Sequence, residues 1–268
     1  MTDLLQGVAL VTGGGSGIGQ ATCIALVRHG VDRVAILDID TAGMSQTSKL
    51  IRTIKEVDIM EISTDMANES SVVQAVQQVI DRFGRIDIAV NNAGIGGSIL
   101  PSTETSVQDF HKVIDVNLIG LWIGQREVIR QMLKQEPQQL WTGTPVRGTI
   151  VNLSSTFGYV SAAGTTPVPA YVSSKHGILG ITKQAVLSSM KDSNSFAKDG
   201  IRINAVCPGY VNTPAIKAAA EASEAVQLEK LKVPMGRFGE PSEIAEAICF
   251  LASPMSSYMT GAGMIVDG

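Results

Sequence analysis

Apolar and polar positions divide the chain into short β-branched runs separated by longer amphipathic stretches. The runs are V-A-L-V (8–11), V-A-I-L (34–37), I-M-E-I (59–62), I-D-I-A-V (86–90), T-I-V-N-L (149–153), I-R-I-N-A-V (201–206) and M-I-V (264–266). Each has the length and the Val/Ile content of a strand. Between them, apolar residues recur at helical spacing, which predicts helices over about 17–30, 42–55, 69–83, 105–135, 170–191 and 241–252. Near-continuous apolar strands belong to a parallel sheet covered on both faces, and crossovers of one hand make it doubly wound. The pattern therefore predicts an α/β fold with a mostly parallel, seven-stranded sheet. No composition break, repeat or low-complexity tract interrupts residues 1–268, so a single domain is expected.

Two stretches stand outside the alternation. Residues 134–148 form a polar loop before the fifth strand, expected at the N-terminal edge of the sheet as a surface or subunit-contact loop, with Trp141 tucked back or meeting a partner. Residues 214–235 are Ala-rich, helix-prone and bounded by prolines. Following the C-terminal end of a strand, they are read as a movable lid or a surface helix.

The first strand runs into V-T-G-G-G-S-G-I-G-Q-A-T (11–22), a glycine turn that opens a helix. Glycine lets the backbone approach a ligand closely, and the helix N-terminus then favours an anion. Asp38 lies nineteen residues after Gly19, at the end of the second strand, about where an acidic residue holds the adenosine ribose of a dinucleotide. Together these predict a Rossmann-like nucleotide site. A carboxylate accepts both ribose hydroxyls of NAD but repels a 2′-phosphate, and the loop offers Ser16 and no Lys or Arg. NAD is favoured over NADP. Asp40, two residues on and on the same face, is the rival ribose ligand.

Composition narrows the classes that remain. With a net charge of -4 and only scattered Lys and Arg, a nucleic-acid partner is not expected. No apolar run approaches the ~20 residues of a membrane span. The start of the chain lacks a signal-peptide pattern, and Cys23, Cys207 and Cys249 are too widely spaced for zinc, so reduced thiols and a cytoplasmic protein are expected. His29, His111 and His176 have no ligand-spaced neighbours, and no metal is implied.

The most specific chemistry lies in A-Y-V-S-S-K-H-G-I (170–178). Positions four apart share one helix face, so Tyr171 and Lys175 point at one spot. A phenol with a pKa of about 10 is a poor acid or base at neutral pH until a nearby cation favours the phenolate.

In the order G-G-G-S-G-I-G, N-N-A-G (91–94), Y-V-S-S-K and P-G (208–209), the chain resembles the short-chain dehydrogenase/reductase family from Val8 to Gly268. That resemblance implies pyrophosphate binding at Gly13, Gly17 and Gly19, with Ile18 nearby. It implies adenine contacts from Asp65 and Met66, and a wall beside the adenosine ribose from Asn91, Ala93 and Gly94. Pro208, Gly209, Val211 and Thr213 would hold the nicotinamide carboxamide. Asn117, Ser155, Tyr171 and Lys175 would form the catalytic group: Tyr171 moves the proton, Ser155 holds the substrate oxygen, Lys175 tunes the phenol and reaches the nicotinamide ribose, and Asn117 holds a water.

The serine commonly stands thirteen residues before the tyrosine in such proteins, whereas Ser155 stands sixteen before Tyr171. The longer loop bears on substrate shape, and Ser154 is the alternative serine. The resemblance also implies a few residues beyond Val-Asp-Gly. The expected activity is hydride transfer between NAD(H) and a small secondary alcohol or ketone, with Gly96, Gly97, Phe157, Tyr159, Tyr210 and the 214–235 segment around a moderately hydrophobic substrate. The alternatives are an NADPH-dependent 3-oxoacyl or polyketide-type ketoreductase and a non-catalytic nucleotide-binding subunit. Helices 105–135 and 170–191 have apolar faces beyond what one sheet contact needs, and the resemblance implies that these helices pair between subunits in a homodimer or homotetramer.

Overall fold

The structure, a computed structural model, describes residues 4–139, 143–161, 167–185, 195–222 and 228–268. Strands β1 (Val8–Thr12), β2 (Arg33–Asp38), β3 (Asp58–Ser63), β4 (Ile88–Asn91), β7 (Gly148–Leu153), β8 (Ile201–Pro208) and β9 (Gly263–Val266) form one seven-stranded sheet in the order β3-β2-β1-β4-β7-β8-β9. Every pairing in it is parallel. The order reverses between β1 and β4, and ligands of doubly wound sheets bind at such a point, outside the C-terminal ends of the strands.

Successive strand residues face opposite sides of a sheet, and β1 shows the consequence. Ala9 and Val11 enter one core layer, with Leu26 of α1 (Gly17–Arg28) and Ile244 and Ile248 of α8 (Pro241–Ala252). Val8 and Leu10 enter the other, with Val76 of α3 (Glu69–Phe83) and Val128 and Met132 of α5 (Leu121–Met132). Each of the Val, Leu, Ile and Met side chains, once fully buried, contributes ~1.5–3 kcal/mol, and the single methyl of Ala9 less.

Polar caps fix where the helices begin. Asp40 accepts from the amides of Ala42 and Gly43 at the start of α2 (Thr41–Arg52), Asn68 from Ser71 at α3, and Ser106 from Asp109 at α4 (Val107–Ile114). The single helix expected over 105–135 is interrupted. Between α4 and α5 lies a π-helical turn, Asp115–Gly120, in which Gly120 packs against the Met66 carbonyl so closely that a side chain would collide. A turn of this kind is a short bulge within otherwise α-helical chain, so the flanking pattern still reads as one helix.

The described part of 134–148 holds a two-residue hairpin, β5 (Gln138–Gln139) with β6 (Pro145–Val146). Gln135 bonds both backbone groups of Ile86 and the Arg147 carbonyl, and Arg147 donates to the Asp199 carbonyl at 2.7 Å. This stretch therefore lies where β4, β7 and β8 begin, opposite the ligand edge. Trp141 lies outside the described residues. Of the helix expected at 170–191, the described part is α6, Pro169–Ala185; residues 186–191 lie outside the described residues. The 214–235 segment contributes α7 (Pro214–Ala222) and a 3-10 turn at Glu229–Lys232.

Candidate active site

The glycine turn forms a tight cradle at the sheet's C-terminal edge. Gly13 (φ 67°) and Gly17 (φ 52°) lie in the left-handed region that side chains disfavour. A Cβ on Gly13 would sit 2.7 Å from Asn92 Nδ2, and one on Gly19 would strike the Gly13 carbonyl. Asn92 braces this turn: its Nδ2 donates to the carbonyls of Thr12 and Gly13, both at 3.0 Å, and its amide donates to Thr12 Oγ1. The sequence reading omitted Asn92. A polar side chain one residue past the end of an apolar strand, beside a glycine turn, is the signal that points to it.

Asp38 ends β2 against this cradle. Its Oδ2 accepts from the Gly15 amide at 2.8 Å and its Oδ1 from the Asp40 amide at 3.0 Å. A carboxylate has about four acceptor positions, so capacity remains for hydroxyl donors. Asp40, the rival, is committed to capping α2. Asp65 follows β3 close by. Its Oδ1 accepts from the Ala67 amide, and the preceding Thr64 amide donates to the Asp38 carbonyl.

Three of the expected cofactor contacts have inward-facing side chains. Met66 packs with Val72 and Ile123, and Val211 belongs to the main core. The Asn91 side chain turns into the interior, where its Nδ2 donates to Asn152 Oδ1 at 2.9 Å; Asn152 in turn donates to Gln125 and Thr182. Any wall these three residues make beside a cofactor is therefore built from backbone. Ser16 is exposed at the mouth of the turn, and Ile18 is half-buried against the core.

The remaining residues close a ring around the end of the sheet. The Ala93 amide donates to Thr12 Oγ1 at 3.1 Å. A Cβ on Gly94 would lie 3.3 Å from Asn117 Oδ1 and 3.7 Å from Lys175 Nζ. Asn117, in the π-helical turn, is fully buried: its Oδ1 accepts from the Ile95 amide, and its Nδ2 donates to the Ile95 carbonyl and to Ser174 Oγ. The Pro208 carbonyl lies 3.4 Å from Ser155 Oγ, and Gly209 is tied to the Val266 carbonyl at 3.0 Å. Thr213 returns to the cradle, where its methyl would lie 3.3 Å from a Cβ on Gly17.

Ser155 caps the 3-10 turn Thr156–Gly158, and its hydroxyl lies near enough to Tyr171 to favour the phenolate. The alternative serine, Ser154, instead donates to the Lys175 carbonyl at 2.9 Å. Lys175 is 3% exposed; its Nζ donates to the Leu153 carbonyl at 2.8 Å and lies 5.3 Å from the centre of the Tyr171 ring. Burial pulls the ammonium down to about 8 from its ordinary 10.5. Burial also raises the Tyr171 phenol above 10, against the opposing influence of the Ser155 hydroxyl. The lowered phenol expected from Lys175 is therefore not produced by the protein groups as they stand, because the ammonium is turned onto Leu153 and burial dominates.

The donor set fits a dinucleotide. The glycine cradle is closed to side chains, Asp38 retains acceptor capacity, and the Lys175 ammonium retains donors beyond the one used on Leu153. The histidines lie in other settings: His29 pairs with Glu246 at 2.7 Å, and His176 bonds the Val172 carbonyl. Among the described residues, no helix is long and apolar enough to cross a membrane.

Comparison with known proteins identifies the class. Residues 13–268 match the family model described as enoyl-(acyl carrier protein) reductase. The chain is 40% identical to the short-chain dehydrogenase fogB of Aspergillus ruber, over 98% of this chain and 96% of that one. It is 36% identical to a cyclohexanol dehydrogenase of an Acinetobacter species, covering 97% and 93% of the two chains. The crystal structure of levodione reductase superposes with a TM-score of 0.86 at 29% identity, covering 98% of this chain and 96% of that one. The chain belongs to the short-chain dehydrogenase/reductase family of nicotinamide-dependent oxidoreductases.

Proposed function

We propose that this chain is an NAD(H)-dependent oxidoreductase that interconverts a secondary alcohol and its ketone, with Tyr171 as the general acid and base. The convergence of Ser155, Tyr171 and Lys175 beside the glycine cradle carries this reading. NAD is favoured over NADP because Asp38 is aimed at the cradle through the Gly15 amide, where its charge repels a phosphate.

The nicotinamide, when bound, supplies or takes the hydride at the carbon of the reacting C–O bond. In the reducing direction, Tyr171 gives its phenolic proton to the carbonyl oxygen as the double bond becomes single; in the oxidising direction, it takes that proton back. Ser155 donates to the same oxygen and fixes its position. Lys175 Nζ offers donors to the nicotinamide ribose, and its charge favours the phenolate when the side chain swings from the Leu153 carbonyl. Asn117 holds the Ile95 backbone, and through it the wall that faces Lys175. The exposed apolar side chains Ile119, Trp122 and Leu133 in and beside α5 support a homo-oligomer built on that helix.

The test is to follow cyclohexanone reduction by the purified protein with NADH and with NADPH, alongside fluorescence titration of both cofactors. Turnover with tighter NADH binding is expected. Tighter NADPH binding would overturn the Asp38 reading, and cofactor binding without turnover of any ketone would favour a non-catalytic role.

A further inference from the structure

The chain is poor in aromatic residues, with two Trp, four Tyr and six Phe in all. Four of these twelve rings nevertheless form one continuous string that starts at the proton carrier. Phe157 meets the Tyr171 ring edge-to-face, at 6.5 Å between centroids and 89° between planes. Its other neighbour is Tyr210, also edge-to-face, at 6.2 Å and 88°. Tyr210 stacks on Phe238 at 5.6 Å and 28°. The four rings come from separate parts of the chain: the turn after Ser155, helix α6, the segment after β8, and the stretch leading to α8. All four are half-buried, so each presents area that packing inside the protein does not use.

We propose that Phe157, Tyr210 and Phe238 form the substrate wall of this site and select an alcohol or ketone carried on an aromatic or planar conjugated ring; the inference rests on the reading of Tyr171 as the proton carrier. A planar ring meets such a wall by stacking or edge-to-face contact, which adds to plain apolar burial. A polyol of equal size would set its hydroxyls against carbon, where they lose water without gaining partners. The string begins at Tyr171, so a ring lying along it holds its C–O group beside Ser155 and Tyr171. Because Phe157 is two residues from Ser155 and its amide donates to Ser155 Oγ at 3.2 Å, one short turn positions both the wall and the hydrogen-bond donor.

The experiment compares NADH-dependent reduction of 1-tetralone and of cyclohexanone by the wild type, Phe157→Leu and Phe238→Leu, with melting curves to confirm folding. The two positions lie on different elements, so a folding defect in one leaves the other informative. The wild type is expected to prefer 1-tetralone at least tenfold in kcat/KM. Each variant should lose about three- to tenfold of that preference, mainly through KM, the range expected for one lost aromatic contact. Equal use of the two ketones, or a preference untouched in both variants, would overturn the proposal.

If neither ketone is reduced, binding of 1-tetralone to the NADH-loaded protein decides. Binding that Phe238→Leu weakens keeps the aromatic wall and overturns the redox reading. No binding overturns the wall.

Discussion

Lys175→Met should make the protein more resistant to unfolding at neutral pH than at alkaline pH, relative to wild type. Burial lowers the Lys175 ammonium from 10.5 to about 8, so below pH 8 the folded protein carries a charge that its surroundings disfavour. At pH 7 this costs the fold ~3 kcal/mol, since each pH unit between the two values is worth about 1.4 kcal/mol. The unfolded chain binds the proton more tightly, so wild-type stability gains from this group as pH rises through 8 towards 10.5. By pH 9.5 the penalty has fallen to ~1.4 kcal/mol.

Replacing the lysine also removes its hydrogen bond to the Leu153 carbonyl, which costs ~1–3 kcal/mol for a buried group left unpaired. That loss is common to both pH values and cancels in the comparison. Urea denaturation of the two proteins at pH 7 and pH 9.5 should therefore show the variant losing ~2 kcal/mol of relative stability between them. Parallel stability curves would refute a desolvated ammonium at this position.

Asn92→Ala removes the two side-chain donors that hold the Thr12 and Gly13 carbonyls, so NADH affinity should fall about tenfold while the fold loses only ~1–2 kcal/mol; fluorescence titration and urea melts separate the two effects. In solution the protein is expected to be a homodimer or homotetramer, given the exposed Trp122 and Ile119; light scattering at micromolar concentration giving a monomer mass would contradict this.

The strands were legible because a sheet buried on both faces requires apolar runs. The V-A-I-L run, for example, became Arg33–Asp38 with all four of its residues buried. The fourth strand begins later than its run of Ile-Asp-Ile-Ala-Val suggests. Asp87 spends its carboxylate on the Val8 amide and on Arg85 at the strand's entrance. The glycine turn and the Tyr171–Lys175 pair were also legible, since both arise from local spacing.

Direction is what the sequence did not carry. Asn91 and Asn92 are adjacent, yet the first faces the interior and the second braces the cradle, because strand β4 ends between them. Lys175 lies on the same helix face as Tyr171, but a neighbouring strand's carbonyl takes its ammonium. Phe238 escaped notice for a similar reason: it joins Tyr210 across twenty-eight positions of sequence, and only the fold brings the two rings together. Tyr159, expected in the pocket, donates instead to the Gly263 carbonyl at 2.9 Å.

Tyr171→Phe, assayed with NADH and a ketone that the wild type reduces, tests the chemistry most directly. The variant keeps the ring and its contact with Phe157 and loses the phenolic hydroxyl, with its exchangeable proton and its interaction with Ser155. NADH should bind as in the wild type while kcat falls about 10²–10⁴-fold, the usual share of a positioned acid or base. A Tyr171→Phe protein that reduces the ketone at the wild-type rate would contradict proton transfer by this residue.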